Sequence, residues 1–207
     1  MNRLVTHPKD VEYFNDYPAP LMELLHSAHK TYINSTITFF GPMLYFLARA
    51  LCWQHVAELG HAEGYTAWYL ANAVKDNGIR FGTTNVSYTG IDIIQTESTQ
   101  KLLEGLPAQC LKIDSMTLTQ DTFNDKTFDM IFQDGCHDTQ HILHEMHALY
   151  PRLRKDGKGY WIMHDTVDPG QEGWEVVKKL IETGVYKFEY VNLPEIHGMA
   201  ILRRLPE

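Results

Sequence analysis

Val56-Ala57-Glu58-Leu59-Gly60-His61-Ala62-Glu63-Gly64-Tyr65-Thr66 is a largely apolar run that ends in a turn bounded by glycines. Such a run predicts a short buried strand, and apolar residues at helical spacing after it predict a helix. A strand that turns on glycine into a helix brings the backbone close to a ligand and directs free N–H groups at it. This stretch therefore predicts the opening of a nucleotide-binding α/β domain. The apolar face of the helix is Ala67, Leu70, Ala71 and Val74.

The spacing of the glycines indicates which nucleotide the turn accepts. A dinucleotide-binding turn needs G-x-G-x-x-G, whereas the glycines here are Gly60 and Gly64. Glu58 and Glu63 would repel a pyrophosphate, and no Gly-Lys-Ser/Thr of a phosphate loop follows. A cationic or zwitterionic nucleoside tolerates this acidic turn. The pattern E-x-G-x-x-x-G resembles motif I of the class I methyltransferases, and this resemblance implies S-adenosylmethionine as the cofactor.

Length and composition limit the classes of function. A chain of 207 residues with 44% hydrophobic content is expected to form one core. The net charge of −8, without a run of basic residues, argues against nucleic acid as a partner. Three widely separated cysteines argue against a zinc site or disulfides and favour a reducing cytoplasm. No signal segment opens the sequence, and the uncharged residues 31–48 are interrupted by polar side chains and Gly41-Pro42. We therefore expect no membrane span.

The chain divides into two predicted parts. Residues 1–54 lack strand–helix alternation, and we expect a helical segment that packs on the sheet or acts as a lid over the acceptor pocket. Residues 21–28 are predicted to be helical, and Pro42 is expected in the first turn of another helix. Strands and helices alternate over residues 55–207, which predicts a mostly parallel sheet with a surface loop at residues 76–85. The resemblance implies a Rossmann-like fold with strand order 3-2-1-4-5-7-6 and an antiparallel last strand.

An acidic residue stands at the end of each of five successive predicted strands. Ligands of open α/β sheets bind outside the carboxyl ends of the strands, so these side chains are expected to line one site. Helix capping is the alternative, because Asp often precedes a helix, but capping alone explains five such positions poorly. The five residues are Glu58, Asp92, Asp114, Asp134 and Asp165.

The first three acids and the glycine turn are predicted to hold the cofactor. Asp92 is expected to accept hydrogen bonds from both ribose hydroxyls. Asp114 is expected to accept a hydrogen bond from the adenine amine, with a backbone N–H of Ser115 or Met116 facing the ring. The predicted cofactor-binding residues are Glu58, Gly60, Gly64, Asp92, Asp114, Ser115 and Met116.

Three later segments extend the resemblance over residues 55–166. Asp134-Gly135-Cys136-His137 follows the fourth strand, a Leu-containing stretch with a glycine turn occupies residues 153–160, and His164-Asp165-Thr166 follows the fifth strand. This combination resembles a methyltransferase group that includes macrolide-sugar O-methyltransferases and cephalosporin hydroxylase relatives. The resemblance implies methyl transfer to an oxygen of a small-molecule acceptor.

The resemblance also implies a magnesium ion held by Asp134 and Asp165. Two carboxylates, waters and substrate hydroxyls would complete the octahedral oxygen shell that Mg²⁺ requires. This chain departs from the group at three positions, and one of them is Thr139, where the group usually has an aromatic residue two positions after the motif histidine. His164 stands where the sugar methyltransferases have an acid, and Thr166 stands where catechol-type enzymes have Asn. The predicted metal-site residues are Asp134, Asp165 and His164.

His137 and Asp134 are the predicted catalytic residues, because histidine titrates near neutral pH and His137 stands close to Asp134 at a strand end. One alternative is a two-histidine, one-carboxylate iron site of an oxygenase, formed by His137, His164 and Asp165. The other is a cofactor-binding subunit without activity. The sequence leaves a homo-oligomer open. The remaining histidines of the next helix, His141, His144 and His147, are interpreted as a solvated face.

Overall fold

Seven strands form one sheet in a computed structural model, which describes residues 37–124, 126–167, 172–194 and 197–207. The order is β3-β2-β1-β4-β5-β7-β6. The neighbours from β3 to β5 pair in parallel, and β7 is antiparallel to both β5 and β6. The predicted topology is confirmed. The strands are β1 His55–Leu59, β2 Ser87–Asp92, β3 Ala108–Lys112, β4 Met130–Gln133, β5 Tyr160–His164, β6 Phe188–Leu193 and β7 Met199–Arg204.

Helices cover both faces of the sheet. Successive strand residues point to opposite faces, so Val56 packs on the side of the first two helices and Ala57 on the side of the last two. Within the described ranges, none of the helices has the length and apolar character needed to cross a membrane. The helices are α1 Ile37–Ala50, α2 Tyr65–Phe81, α3 Glu97–Leu102, α4 Thr139–Leu149 and α5 Gly173–Glu182, with 3₁₀ turns at Ser115–Thr117 and Tyr150–Arg152.

Helix α1 belongs to the same core as α2. Its Leu44 is fully buried, and at Gly41 the two helices approach so closely that a Cβ would lie 2.5 Å from Cδ2 of Tyr69. Pro42 lies inside α1 and not in its first turn, which corrects the predicted start of this helix. The predicted division at residue 54 stays a prediction. The predicted helix at residues 21–28 lies outside the described residues.

The predicted surface loop at residues 76–85 is wrong for residues 76–81, because α2 continues to Phe81; the loop begins at Gly82, whose φ is 63°. Asp-Asn-Gly is a poor helical sequence, but tertiary hydrogen bonds hold it. Asn77 is fully buried, and its Nδ2 donates to the carbonyls of Ala48 at 2.9 Å and Trp53 at 2.7 Å. Helix α2 is therefore longer than its local sequence predicts, and these bonds fasten α1 to it.

Candidate active site

Four side chains meet at the carboxyl ends of β4 and β5, and we call them the His–Asp cluster: Asp134, His137, His164 and Asp165. Nδ1 of His164 lies 2.8 Å from Oδ1 of Asp134 and 2.9 Å from Oδ1 of Asp165. The second oxygen of Asp165, Oδ2, lies 3.0 Å from Nε2 of His137. Since β4 and β5 are adjacent and parallel, their ends bring together residues that are about thirty positions apart in sequence.

The electrostatics of the cluster follow from the alternation of acids and imidazoles. Burial lowers the pKa of His137, but the hydrogen bond and the charge of Asp165 outweigh burial and raise it above its ordinary value. Burial also lowers the pKa of His164, but Asp134 and Asp165 both face its ring and together raise the pKa to about 9. Burial opposes ionisation of Asp165, but the two imidazoles hold its pKa below the usual range. The cluster therefore stabilises positive charge between its carboxylates.

The partner of His137 differs from the predicted one. We expected Asp134 beside His137, but the ion-pair partner of His137 is Asp165, while Asp134 pairs with His164. His137 does not cap the helix that follows it, because the N-cap of α4 is Asp138, whose Oδ1 accepts from the N–H of Gln140 at 2.8 Å. The imidazole of His137 is thus oriented by a carboxylate and partly exposed at the site.

His164 is the most enclosed member of the cluster, with 7% of its surface exposed. In the part of the chain that the structure describes, neither ring nitrogen makes a hydrogen bond of suitable direction, although two carboxylate oxygens lie close to Nδ1. Phe40 of α1 packs against the ring, with centroids 5.2 Å apart in a T-shaped arrangement. Sequence reasoning did not identify Phe40, because nothing in the pattern of α1 indicates which strand end it reaches.

One group of metal-capable side chains converges within the described residues, and it consists of Asp134, His164 and Asp165. One donor atom of each lies within 4.8 Å of the others. These are the three predicted metal-site residues. The alternative iron site of an oxygenase consisted of His137, His164 and Asp165. The converging group contains Asp134 in place of His137. Asp165 has a φ of 56°, a strained value for a non-glycine residue and one that is frequent at functional sites.

The glycine turn lies directly beside the cluster. Gly60 has a φ of 83°, and a Cβ placed on it would lie 2.4 Å from Cα of Gly135 and 2.6 Å from the carbonyl oxygen of Asp134. Gly64 has a φ of 85°, and Ala62 between them also adopts a positive φ of 42°. The turn thus needs three left-handed residues, of which sequence reasoning identified two. A ligand at this turn would be adjacent to the Asp134–His137 segment.

Glu58 does not lie where we expected it. The prediction placed it at the strand end against the cofactor, but it lies within β1 and is 0% exposed. Its oxygens accept from the hydroxyl of Thr66 and, at 2.5 Å, from the hydroxyl of Tyr88. Burial raises the pKa of Glu58 to about 8, although both hydrogen bonds favour its ionised form. In this arrangement Glu58 fastens β1 to α2 and β2 and presents no surface to a ligand.

Asp92 lies beside the turn, as predicted. Its Oδ2 accepts from the N–H of Ala62 at 2.8 Å, and its Oδ1 accepts from the N–H of Ile94 at 2.8 Å. Asp114 instead caps the 3₁₀ turn, because its Oδ1 accepts from the N–H of Met116 at 2.9 Å. The N–H of Met116 is therefore already bonded to Asp114, so it is not available to adenine as we predicted. The N–H of Ser115 stays the predicted contact to the ring.

A family model described as "Methyltransferase domain" matches residues 57–166, just over half of the chain. No curated protein matches the sequence. Solved structures with the same fold include the SAH-bound Podospora anserina methyltransferase PaMTH1, with 13% identity, TM-score 0.66 and 99% of both chains covered. The O-methyltransferase TomG from Streptomyces achromogenes, in complex with SAM, has 18% identity and TM-score 0.65, covering 95% of this chain and 96% of that one. An O-methyltransferase from Bacillus cereus in complex with SAH has 17% identity and TM-score 0.64, with coverages of 93% and 96%.

Proposed function

Because the chain belongs to this methyltransferase family, we propose that it transfers the methyl group of S-adenosylmethionine to a hydroxyl oxygen of a small-molecule acceptor. The observation that carries the proposal is the contact between the glycine turn and the backbone of Asp134 and Gly135. A cofactor bound at the turn would have its methyl group near His137, which is held by Asp165. The SAM and SAH complexes of proteins with this fold support the choice of cofactor.

His137 is the proposed general base. Its Nε2 faces Oδ2 of Asp165 at 3.0 Å, so the carboxylate holds the proton on Nε2 and leaves Nδ1 as the basic nitrogen. In the reaction, the acceptor oxygen forms a bond to the methyl carbon as the sulfur–carbon bond breaks, and the hydroxyl proton passes to Nδ1. Asp165 then stabilises the imidazolium. Because the displacement must be in line, positioning of the two reactants contributes much of the rate.

The cofactor would lie along the edge formed by β1, β2 and β3. Gly60 and Gly64 allow the methionine end of the cofactor to approach the turn. Asp92 is fixed by the N–H of Ala62 and still presents a partly exposed carboxylate to the ribose. The adenine would lie near Ser115 and the exposed Met116. The acceptor would enter from the side of α1, whose Phe40 reaches His164.

Magnesium, which the resemblance implies, does not fit the residues present. Asp134 and Asp165 offer oxygen donors, but the third donor that converges with them is the imidazole nitrogen of His164, which lies 2.8 and 2.9 Å from their Oδ1 atoms. Mg²⁺ prefers six oxygen ligands in regular octahedral geometry and retains water in preference to nitrogen. We therefore derive no step of methyl transfer through Mg²⁺, and the proposed proton transfer relies on His137 and Asp165.

The proposal is tested by binding and turnover. We expect calorimetry to show that S-adenosylhomocysteine binds with a Kd on the order of 1 µM, which is a binding free energy of about −8 kcal/mol. We also expect S-adenosylhomocysteine to form from S-adenosylmethionine when catechols, sugars and other hydroxyl compounds are supplied as acceptors. His137→Asn should lower turnover by roughly 100- to 10,000-fold with cofactor affinity unchanged. His147→Asn, at an exposed position of α4, is the control and should retain activity. Absence of cofactor binding, or equal binding of NAD, would contradict the cofactor assignment.

A further inference from the structure

The donor atoms of Asp134, His164 and Asp165 are spaced like neighbouring ligands of one ion. Bonds of about 2.1 Å that meet at right angles place their donors about 3.0 Å apart. Nδ1 of His164 lies 2.8 Å from one carboxylate oxygen and 2.9 Å from the other. Hydrogen bonding explains this geometry poorly, because Nδ1 carries at most one proton for two carboxylates and neither contact has a suitable direction.

The two carboxylates of this buried site need a positive charge between them, which either a proton on His164 or a bound cation supplies. His164 has only 7% of its surface exposed, and neither of its nitrogens has a hydrogen-bond partner among the described residues. Buried polar atoms normally have hydrogen-bond partners, and a buried polar atom without a partner destabilises the folded protein. A divalent cation would use the lone pair of Nδ1. It would also balance the two negative charges of Asp134 and Asp165 without protonation of the imidazole.

The nitrogen donor determines which cation fits. Imidazole suits first-row transition metals, whereas magnesium and calcium are bound through oxygen. We propose that Asp134, His164 and Asp165 form a binding site for a first-row transition-metal ion, in the range from Mn²⁺ to Zn²⁺, that discriminates against Mg²⁺ through His164. The inference relies on the proposed function for the role of the ion in the enzyme, but ion binding is measured independently of it.

The experiment uses full-length protein stripped of metal with a chelator and titrated separately with MnCl₂, CoCl₂, ZnCl₂ and MgCl₂ by calorimetry. We expect one high-affinity transition-metal ion per chain and an affinity for Mn²⁺ and Co²⁺ at least roughly 100-fold above that for Mg²⁺. Visible absorption of the Co²⁺ form should contain bands that change when His164 is replaced. These readouts need no acceptor and no turnover.

His164→Asn should lower the affinity for Co²⁺ by at least roughly tenfold to a hundredfold and reduce its preference over Mg²⁺. Circular dichroism checks the fold of this variant, and Asp134→Asn is the second test if the first does not fold. His147→Asn removes an exposed histidine of α4 and should leave the high-affinity site unchanged, which separates it from surface binding.

Equal affinity for Mg²⁺ and Mn²⁺, no high-affinity site, or Co²⁺ binding that survives in both His164→Asn and Asp134→Asn would overturn the inference. S-adenosylhomocysteine binding is measured on the same samples. Retained cofactor binding without metal binding refutes the metal inference alone, whereas metal binding without cofactor binding refutes the proposed function alone.

Discussion

Replacing Glu58 with Gln removes the ionisable group but preserves its shape and most of its hydrogen-bonding capacity. The carboxylate is 0% exposed and accepts from the hydroxyls of Thr66 and Tyr88. Both hydroxyls can rotate to accept a bond from the amide of Gln. The substitution therefore isolates the cost of burying the charge, because it changes neither the volume nor the number of partners.

The magnitude follows from the two pKa values. Burial raises the pKa of Glu58 from 4.5 in the unfolded chain to about 8 in the folded protein. Between these values the unfolded chain releases a proton that the folded protein retains. The free energy of unfolding therefore falls by about 1.4 kcal/mol for each pH unit of increase. The stability contribution is complete below the unfolded pKa and is lost as the pH rises through the folded pKa. We expect the wild type to lose about 3 to 4 kcal/mol between pH 5 and pH 8 relative to Glu58→Gln.

Urea denaturation at several pH values, followed by circular dichroism, measures this difference. Glu63→Gln is the control, because it neutralises an exposed carboxylate of the same turn and should leave the pH dependence of the wild type unchanged. Parallel pH profiles for the wild type and Glu58→Gln would refute the reasoning. Affinity for S-adenosylhomocysteine is the second readout. We expect at most a few-fold change in Glu58→Gln, since the enclosed carboxylate does not reach a ligand, whereas direct contact would produce a larger loss.

Two further changes test the framework of the site. Gly60→Ala places a Cβ 2.4 Å from Cα of Gly135 and should lower the free energy of unfolding by about 3 kcal/mol or more, together with cofactor affinity. Gly82 has a similar φ but open space where a Cβ would lie, so Gly82→Ala should lower the free energy of unfolding by only about 1 kcal/mol. Urea denaturation measures both variants, and equal losses would contradict the close approach at Gly60. Asn77→Leu leaves two carbonyls without their donor and should lose about 2 to 3 kcal/mol in the same assay. At Asn72 the side-chain amide donates to the carbonyl of Trp68 within α2, so Asn72→Leu should lower the free energy of unfolding by less than about 1 kcal/mol. A similar loss at both positions would contradict the special role of Asn77.

The positions of strand ends were predictable because they depend on local pattern and chain direction. Apolar runs followed by acids indicated the ends of β4 and β5, and parallel pairing then required Asp134 and Asp165 to be neighbours. The same reasoning placed Asp92 beside the turn, since β1 and β2 are adjacent and parallel. Sequence alone thus located the edge of the sheet at which the His–Asp cluster and the glycine turn lie.

The pairing of side chains was not predictable, because it depends on register and on space left by neighbours. Glu58 is opposite Gly90 on β2, and a Cβ on Gly90 would lie 2.9 Å from the hydroxyl of Tyr88. The absence of that Cβ leaves room for Tyr88 to reach Glu58. At Asp114 the local alternative formed instead. The side chain caps the 3₁₀ turn that follows it, and capping was the alternative that the sequence left open for these acids.

The final hairpin supports the strained part of the site. Because β7 is antiparallel to β5, its first residues lie at the edge where β5 ends, so the turn after β5 meets the hairpin instead of open solvent. The N–H of Val167 donates to the carbonyl of His197 at 2.9 Å, and the hydroxyl of Thr166 donates to Oδ1 of Asn192 at 2.7 Å. These bonds hold the two residues that follow Asp165, whose positive φ persists only where surrounding structure enforces it. A parallel strand here would instead place its own carboxyl end and the helix after it beside Asp165. The antiparallel strand therefore contributes to the geometry by which one carboxylate contacts both His137 and His164.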